Sequence, residues 1–150
     1  MIKLYFFGKQ RELLSQENEL IRRIGFREKI EVIALEQAGV TEEKRAKEQE
    51  EQKILSKLSD QSYVVVLHER GKQYDSVQFA SWMQKTRESH RDIVFVIGGA
   101  YGLGEAILER ANAQISLGNM VWTRNLARYM TLEQVYRAYE INAGSNFHKA

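Results

Sequence analysis

Four short runs of β-branched and aromatic residues, Ile2–Phe7, Ile30–Leu35, Tyr63–Leu67 and Ile93–Ile97, limit the fold of this chain more than any other feature. Each run is continuous rather than alternating, which suits strands covered on both faces, and each is followed by a segment long enough for a helix. Strands and helices in that order build a mainly parallel sheet of five or six strands with helices on both faces. The fold class is α/β.

The intervening segments support this reading. Arg11–Ile24 places Leu13, Leu14, Ile21 and Ile24 near helical spacing, and Ser76–Ser89 does the same with Val77, Phe79, Ala80 and Met83. Thr41–Ser59 is densely charged, with opposite charges three and four residues apart, and reads as a solvated helix anchored by Ile54, Leu55 and Leu58. No function is assigned to that run. A fifth strand is expected at Gln114–Leu117, then a loop Gly118–Arg124 and a last helix from about Asn125 to Asn142. The last helix carries apolar residues almost all round, so it should bury two surfaces, one against the sheet and one against a partner. A homodimer is expected on that ground.

Composition narrows the chemistry. A chain of 150 residues with 43% hydrophobic content is the size of one domain able to bury a sizeable core. Absence of Cys excludes disulfides, thiol nucleophiles and Cys-type zinc sites, and His68, His90 and His148 show no metal-ligand spacing. No apolar run approaches the ~20 residues that span a bilayer, and the opening Met1–Gly8 is too short for a signal peptide. A soluble, cytoplasmic protein without resident metal is the expectation. The 22 Lys and Arg exceed the 20 Asp and Glu by two, and the excess lies wholly in residues 112–150. A polyanion site should therefore include the C-terminal quarter.

The clearest chemical signal is the loop Gly98-Gly99-Ala100-Tyr101-Gly102-Leu103-Gly104, at the carboxyl end of the fourth strand, where open α/β sheets bind ligands. It lacks the Gly-Lys-Ser/Thr of a phosphate-binding P-loop, and its glycines are not spaced as G-x-G-x-x-G. Alone it is either a backbone cradle for a ligand or a tight turn. Leu117-Gly118-Asn119-Met120-Val121-Trp122 is either a loop packed into the core or the wall of a pocket for a flat ring such as adenine. His68-Glu69 could be an acid–base pair, although a loop His is more often simply exposed. Arg124 and Arg128 stand at the start of the last helix, where cations oppose the helix dipole.

Taken together and in order, these segments resemble a family. Phe95-Val96-Ile97-Gly98-Gly99-Ala100-Tyr101-Gly102-Leu103, then Ile115-Ser116-Leu117, Leu126-Ala127-Arg128, Leu132-Glu133-Gln134-Val135-Tyr136-Arg137-Ala138 and Phe147-His148-Lys149 are similar to the ribosomal RNA large subunit methyltransferase H family of the SPOUT superfamily. Agreement spans the chain and is weaker at the opening strand and at Leu67-His68-Glu69-Arg70-Gly71-Lys72.

The resemblance implies a C-terminal trefoil knot, a homodimer, S-adenosylmethionine as methyl donor, and N3 of a pseudouridine in large-subunit rRNA of the assembled ribosome as acceptor. It implies that Leu67, Gly99, Leu117, Gly118, Asn119, Met120, Val121 and Trp122 hold the donor, with glycine at 99 letting backbone lie against it. Arg124, His148 and Lys149 become candidate catalytic residues, and Arg128 and Arg137 candidates for holding RNA. The sequence also departs from the family pattern: Arg124 stands where His is usual, Phe147 where Tyr is usual, His68 where Asp is common, and Gly118-Asn119 replaces a Ser-containing segment. A guanidinium cannot accept a proton as imidazole can, so an alternative reading is a catalytically impaired relative that binds donor or ribosomes without methyl transfer. A nucleotide-binding α/β protein outside methyl transfer is a third reading, resting on the glycine loop alone.

Overall fold

A computed structural model describes residues 1–9 and 12–149. Its strands are β1 Ile2–Phe7, β2 Ile30–Leu35, β3 Tyr63–Lys72, β4 Ile93–Val96 and β5 Ala113–Ile115; its helices are α1 Leu14–Gly25, α2 Glu43–Lys57, α3 Ser76–Ser89, α4 Glu105–Arg110 and α5 Arg124–Asn142. The strands form one sheet in the order β2-β1-β4-β3-β5, and every pair is parallel. No helix among the described residues is long and apolar enough to cross a membrane.

Alternation along each strand divides the core into two layers. Leu4 and Phe6 of β1, with Phe95 of β4 and Val65 of β3, pack under Leu20 and Ile24 of α1, Phe79 and Met83 of α3, and Leu132 and Val135 of α5. Tyr5, Phe7, Val64, Val66, Val94 and Val96 face the opposite way, toward Ile54 of α2 and Ile107 of α4. Both faces are covered, which explains why the runs are continuously apolar. α5 lies over the sheet and also meets both α1 and α3. The apolar surplus on this helix is thus met in part within the chain, by the sheet, α1 and α3, while Leu126 stays exposed.

Element boundaries differ modestly from expectation. α1 begins at Leu14 rather than Arg11, which lies outside the described residues, and α5 begins at Arg124. Thr123 is its cap, its hydroxyl accepting from the Leu126 N–H. β3 continues five residues past Leu67, because Leu67 and Lys72 both pair with Ile115 and the chain between them bulges out of the ladder. Gly71 allows that return, since a Cβ there would sit 2.6 Å from the Ile115 backbone.

One expected site residue has a different place. Arg128 is fully buried, its Nε donating to Glu17 Oε1 at 2.6 Å and its guanidinium lying 4.2 Å from the centre of the Phe6 ring. Its expected role in holding RNA is therefore corrected: the side chain ties α5 to α1 and β1 and presents no surface to phosphate. Truncating Glu17 leaves the buried Arg128 guanidinium without the carboxylate that its Nε donates to. Glu17→Ala should cost about 3–5 kcal/mol in urea unfolding, and Glu17→Leu combined with Arg128→Met should recover most of that loss.

Candidate functional site

The parallel order creates a crevice at the carboxyl end of β4. Its neighbours β1 and β3 lead into α1 and α3 on one face, whereas β4 leads through the glycine loop into α4 on the other. Chains diverging to opposite faces leave a gap at the strand ends, the usual ligand position in such sheets. Here it is a cleft of about 690 Å³, walled by the 97–103 segment, the rim residues His68 and Glu69, and the loop after β5. Of the residues expected to hold a cofactor, Leu67, Gly99, Leu117, Gly118, Met120, Val121 and Trp122 line it, and Arg124 closes one side. Asn119 does not line it; its Oδ1 accepts from Gln73 Nε2 at 2.7 Å. Apolar walls combined with backbone N–H and C=O groups at the glycines suit a flat, partly polar ring.

The glycines have separate reasons. Gly102 and Gly118 have φ of +83° and +122° and face open space, so backbone conformation selects them. Gly98 packs on the loop itself, where a Cβ would lie 2.8 Å from the Gly102 carbonyl carbon, and Gly102 N–H closes the turn onto Gly99 C=O at 3.0 Å. Gly99 and Gly104 answer to α2. A Cβ on Gly99 would collide with the Glu50 carboxylate, and one on Gly104 with the Glu51 carboxylate. The Glu50 carboxylate on the Cβ side of Gly99 is thus a second feature bearing on glycine there, beside the expected close approach of a ligand from the cleft.

Glu50 and Glu51 were not singled out in the sequence, because the charged run reads as a solvated face. One signal was available: Ala46, Glu50 and Ile54 recur every four residues and form the buried stripe of α2, so a carboxylate occupies an apolar position. Burial pushes the Glu50 carboxyl above the ordinary carboxylate range, while Arg124 on α5, Lys53 on α2 and the backbone at Ala38 pull it back. Arg124 is itself engaged: its Nη1 donates to Phe7 C=O at 3.0 Å, beside Gly8.

The C-terminal candidates form a second group. Arg137 donates to Glu133 Oε1 at 3.1 Å, contacts His148 Nδ1 at 3.0 Å and lies 4.7 Å from the Phe147 ring, which in turn packs edge-on to Tyr136. This clip holds the tail against α5, with Lys149 exposed. Arg124 and Arg137 stand thirteen residues apart, or about 20 Å along the helix axis. Within one chain the structure does not bring His148 and Lys149 to the cleft. Among the described residues no three His, Cys, Asp or Glu converge as a metal site.

Fold and site together define an α/β protein with a ligand cleft at a topological switch point. A family model described as "Predicted SPOUT methyltransferase" matches residues 1–148. Proteins named "Ribosomal RNA large subunit methyltransferase H" from Enterococcus faecalis, Streptococcus thermophilus and Clostridium acetobutylicum are 37%, 38% and 39% identical to it, each covering 99% of both chains. The chain belongs to the SPOUT methyltransferase family.

The Glu50 environment carries a pH signature. An acid whose pKa is raised by folding destabilises the fold when ionised; that cost is full above the folded value and vanishes below the unfolded one. Glu50→Gln should therefore melt at a higher temperature relative to the parent at pH 7.5 than at pH 4. Equal differences at the two pH values would contradict this assignment.

Proposed function

We propose that this chain is an S-adenosylmethionine-dependent methyltransferase acting on N3 of a pseudouridine in large-subunit rRNA, in the cytoplasm and on the assembled ribosome. The observation that carries the reading is convergence: seven of the eight expected donor residues line one cleft at the switch point. Its volume of about 690 Å³ falls within the range of small-molecule sites. The relatives' printed names, which specify large-subunit ribosomal RNA, support the acceptor class.

When bound, S-adenosylmethionine supplies an electrophilic methyl on a sulfonium. Leu67, Leu117 and Trp122 would enclose the adenine, with backbone at Gly99 and Gly118 available for its polar edge. The protein's own part is then mostly orientation of donor and acceptor, with stabilisation of the ring as N3 loses its proton. Arg124 cannot take that proton, because a guanidinium stays charged. It can stabilise an N3 anion beside the cleft. Arg137, His148 and Lys149 would bind the RNA from the tail.

A homodimer accompanies this proposal. Leu14, Val77, Val121 and Leu126 are exposed apolar residues on segments that follow β1, β3 and β5, and so belong to the carboxyl-end rim of the sheet. The ~20 Å along α5 between cleft and tail is bridged if one copy's tail serves its partner's cleft. The C-terminal trefoil knot expected of the family, within one methyltransferase domain spanning the chain, is part of the same proposal.

A second reading, an impaired relative, is favoured by one observation: Arg124, at the position where the family resemblance implies His, is held to Phe7 C=O. The deciding assay is transfer of labelled methyl from S-adenosylmethionine to ribosomes lacking the modification, followed by nucleoside mass spectrometry of large-subunit rRNA. N3-methylated pseudouridine is the expected product. No product despite donor binding would favour the impaired reading, and then Arg124→His with Phe147→Tyr should raise turnover. Calorimetry showing tighter binding of adenine nucleotides than of S-adenosylmethionine would displace both readings.

A further inference from the structure

The glycine loop is fastened by α2, which itself reaches the cleft through Lys47, and by the segment leading into α2. Tyr101 Oη donates to Thr41 C=O at 3.0 Å. Glu50, almost wholly buried, lies against Gly99 on the space a Cβ would occupy. Glu51 lies in the same way against Gly104, and its Oε2 accepts from the Ile107 N–H at 3.0 Å. Gly104 is the cap residue of α4 and has no side chain with which to cap it, so the carboxylate from α2 does that work across space. Adjacent residues on one helix thus meet the two ends of a six-residue loop segment, Gly99 to Gly104: Glu50 by packing against Gly99, Glu51 by its hydrogen bond to the first turn of α4.

We propose that Glu50 and Glu51 are a positioning pair for the methyl donor, fixing the 99–104 backbone in the shape that the donor binds. Neither touches the donor; both act through the loop. Glu50 fills the space beneath Gly99, and Glu51 holds the first turn of α4. Glycine at 99 then reflects a carboxylate behind the loop rather than a ligand in front of it. The proposal rests on the cleft being the donor site.

The two explanations of Gly99 give opposite results in a double-mutant cycle. Gly99→Ala should weaken S-adenosylhomocysteine binding, read by calorimetry, by about tenfold or more, and Glu50→Ala added to it should restore most of the affinity, because the new methyl enters vacated space. If the donor itself demands glycine, Glu50→Ala restores nothing and the proposal falls. Glu51→Ala should weaken binding about fivefold, the scale of one lost helix cap, whereas Glu51→Gln keeps an acceptor oxygen and should stay within about twofold. Equal losses for both Glu51 variants would overturn the capping role.

A readout without ligand separates this proposal from the reading beneath it. In hydrogen exchange of the free protein, Glu51→Ala should speed exchange at Ile107, and Glu51→Gln should not. Unchanged exchange in Glu51→Ala, with the parent binding S-adenosylhomocysteine normally, defeats the positioning pair and leaves the donor cleft standing. Faster exchange in a parent chain that binds no S-adenosylhomocysteine defeats the donor role for both. Because Glu51→Gln and the Gly99/Glu50 double variant are gains relative to their partners, misfolding of a single variant cannot mimic the expected pattern.

Discussion

The Glu17–Arg128 pair is the interaction on which the layout of this protein turns. A charged pair in the apolar layer is costly to desolvate, and it persists here with short, charge-assisted geometry and an aromatic face beneath the guanidinium. It joins α1, β1 and α5, three elements distant in sequence. Once α5 is locked across the sheet, Arg124 at its start is committed to the cleft and Arg137 near its end to the tail. The distance between cleft and tail is therefore a property of the core.

Much of the fold was legible in the sequence. β1 and β2 match the apolar runs residue for residue, and α3 is bounded by the capping box of Asp75 and Gln78. Legibility failed where a residue's chemistry argued against its location. Arg128 looks like surface charge, and only the tertiary arrangement supplies the buried carboxylate and ring that make it a core residue. The full length of β3 was hidden because its outer half, His68–Lys72, is polar and pairs again only at Lys72 after the bulge.

The candidate site divides along the same line. Its loops were legible because glycines after a buried strand are unusual, and the family pattern fixed their partners in the segment 117–122. The carboxylates behind the loop were not, since a run with this many charges is normally solvated and side-chain charge conceals which face is turned inward. The tail was named but not placed: nothing in Phe147-His148-Lys149 announces that Arg137 will hold two of those residues while also pairing with Glu133. Local pattern carries the backbone's requirements well. It carries poorly those requirements that one helix imposes on a distant loop.

The bulge in β3 has a consequence for how such a protein can diversify. Leu67 and Lys72 are both registered on Ile115, so the four residues between them contribute nothing to the ladder while His68 and Glu69 form part of the cleft's rim. Exchanges at His68 and Glu69 would alter the wall of the cleft without shifting a strand, whereas Gly71, packed on the Ile115 backbone, must stay glycine. The shape and charge of the rim are thereby uncoupled from the folding problem, and its outer residues can drift while the sheet beneath them stays the same.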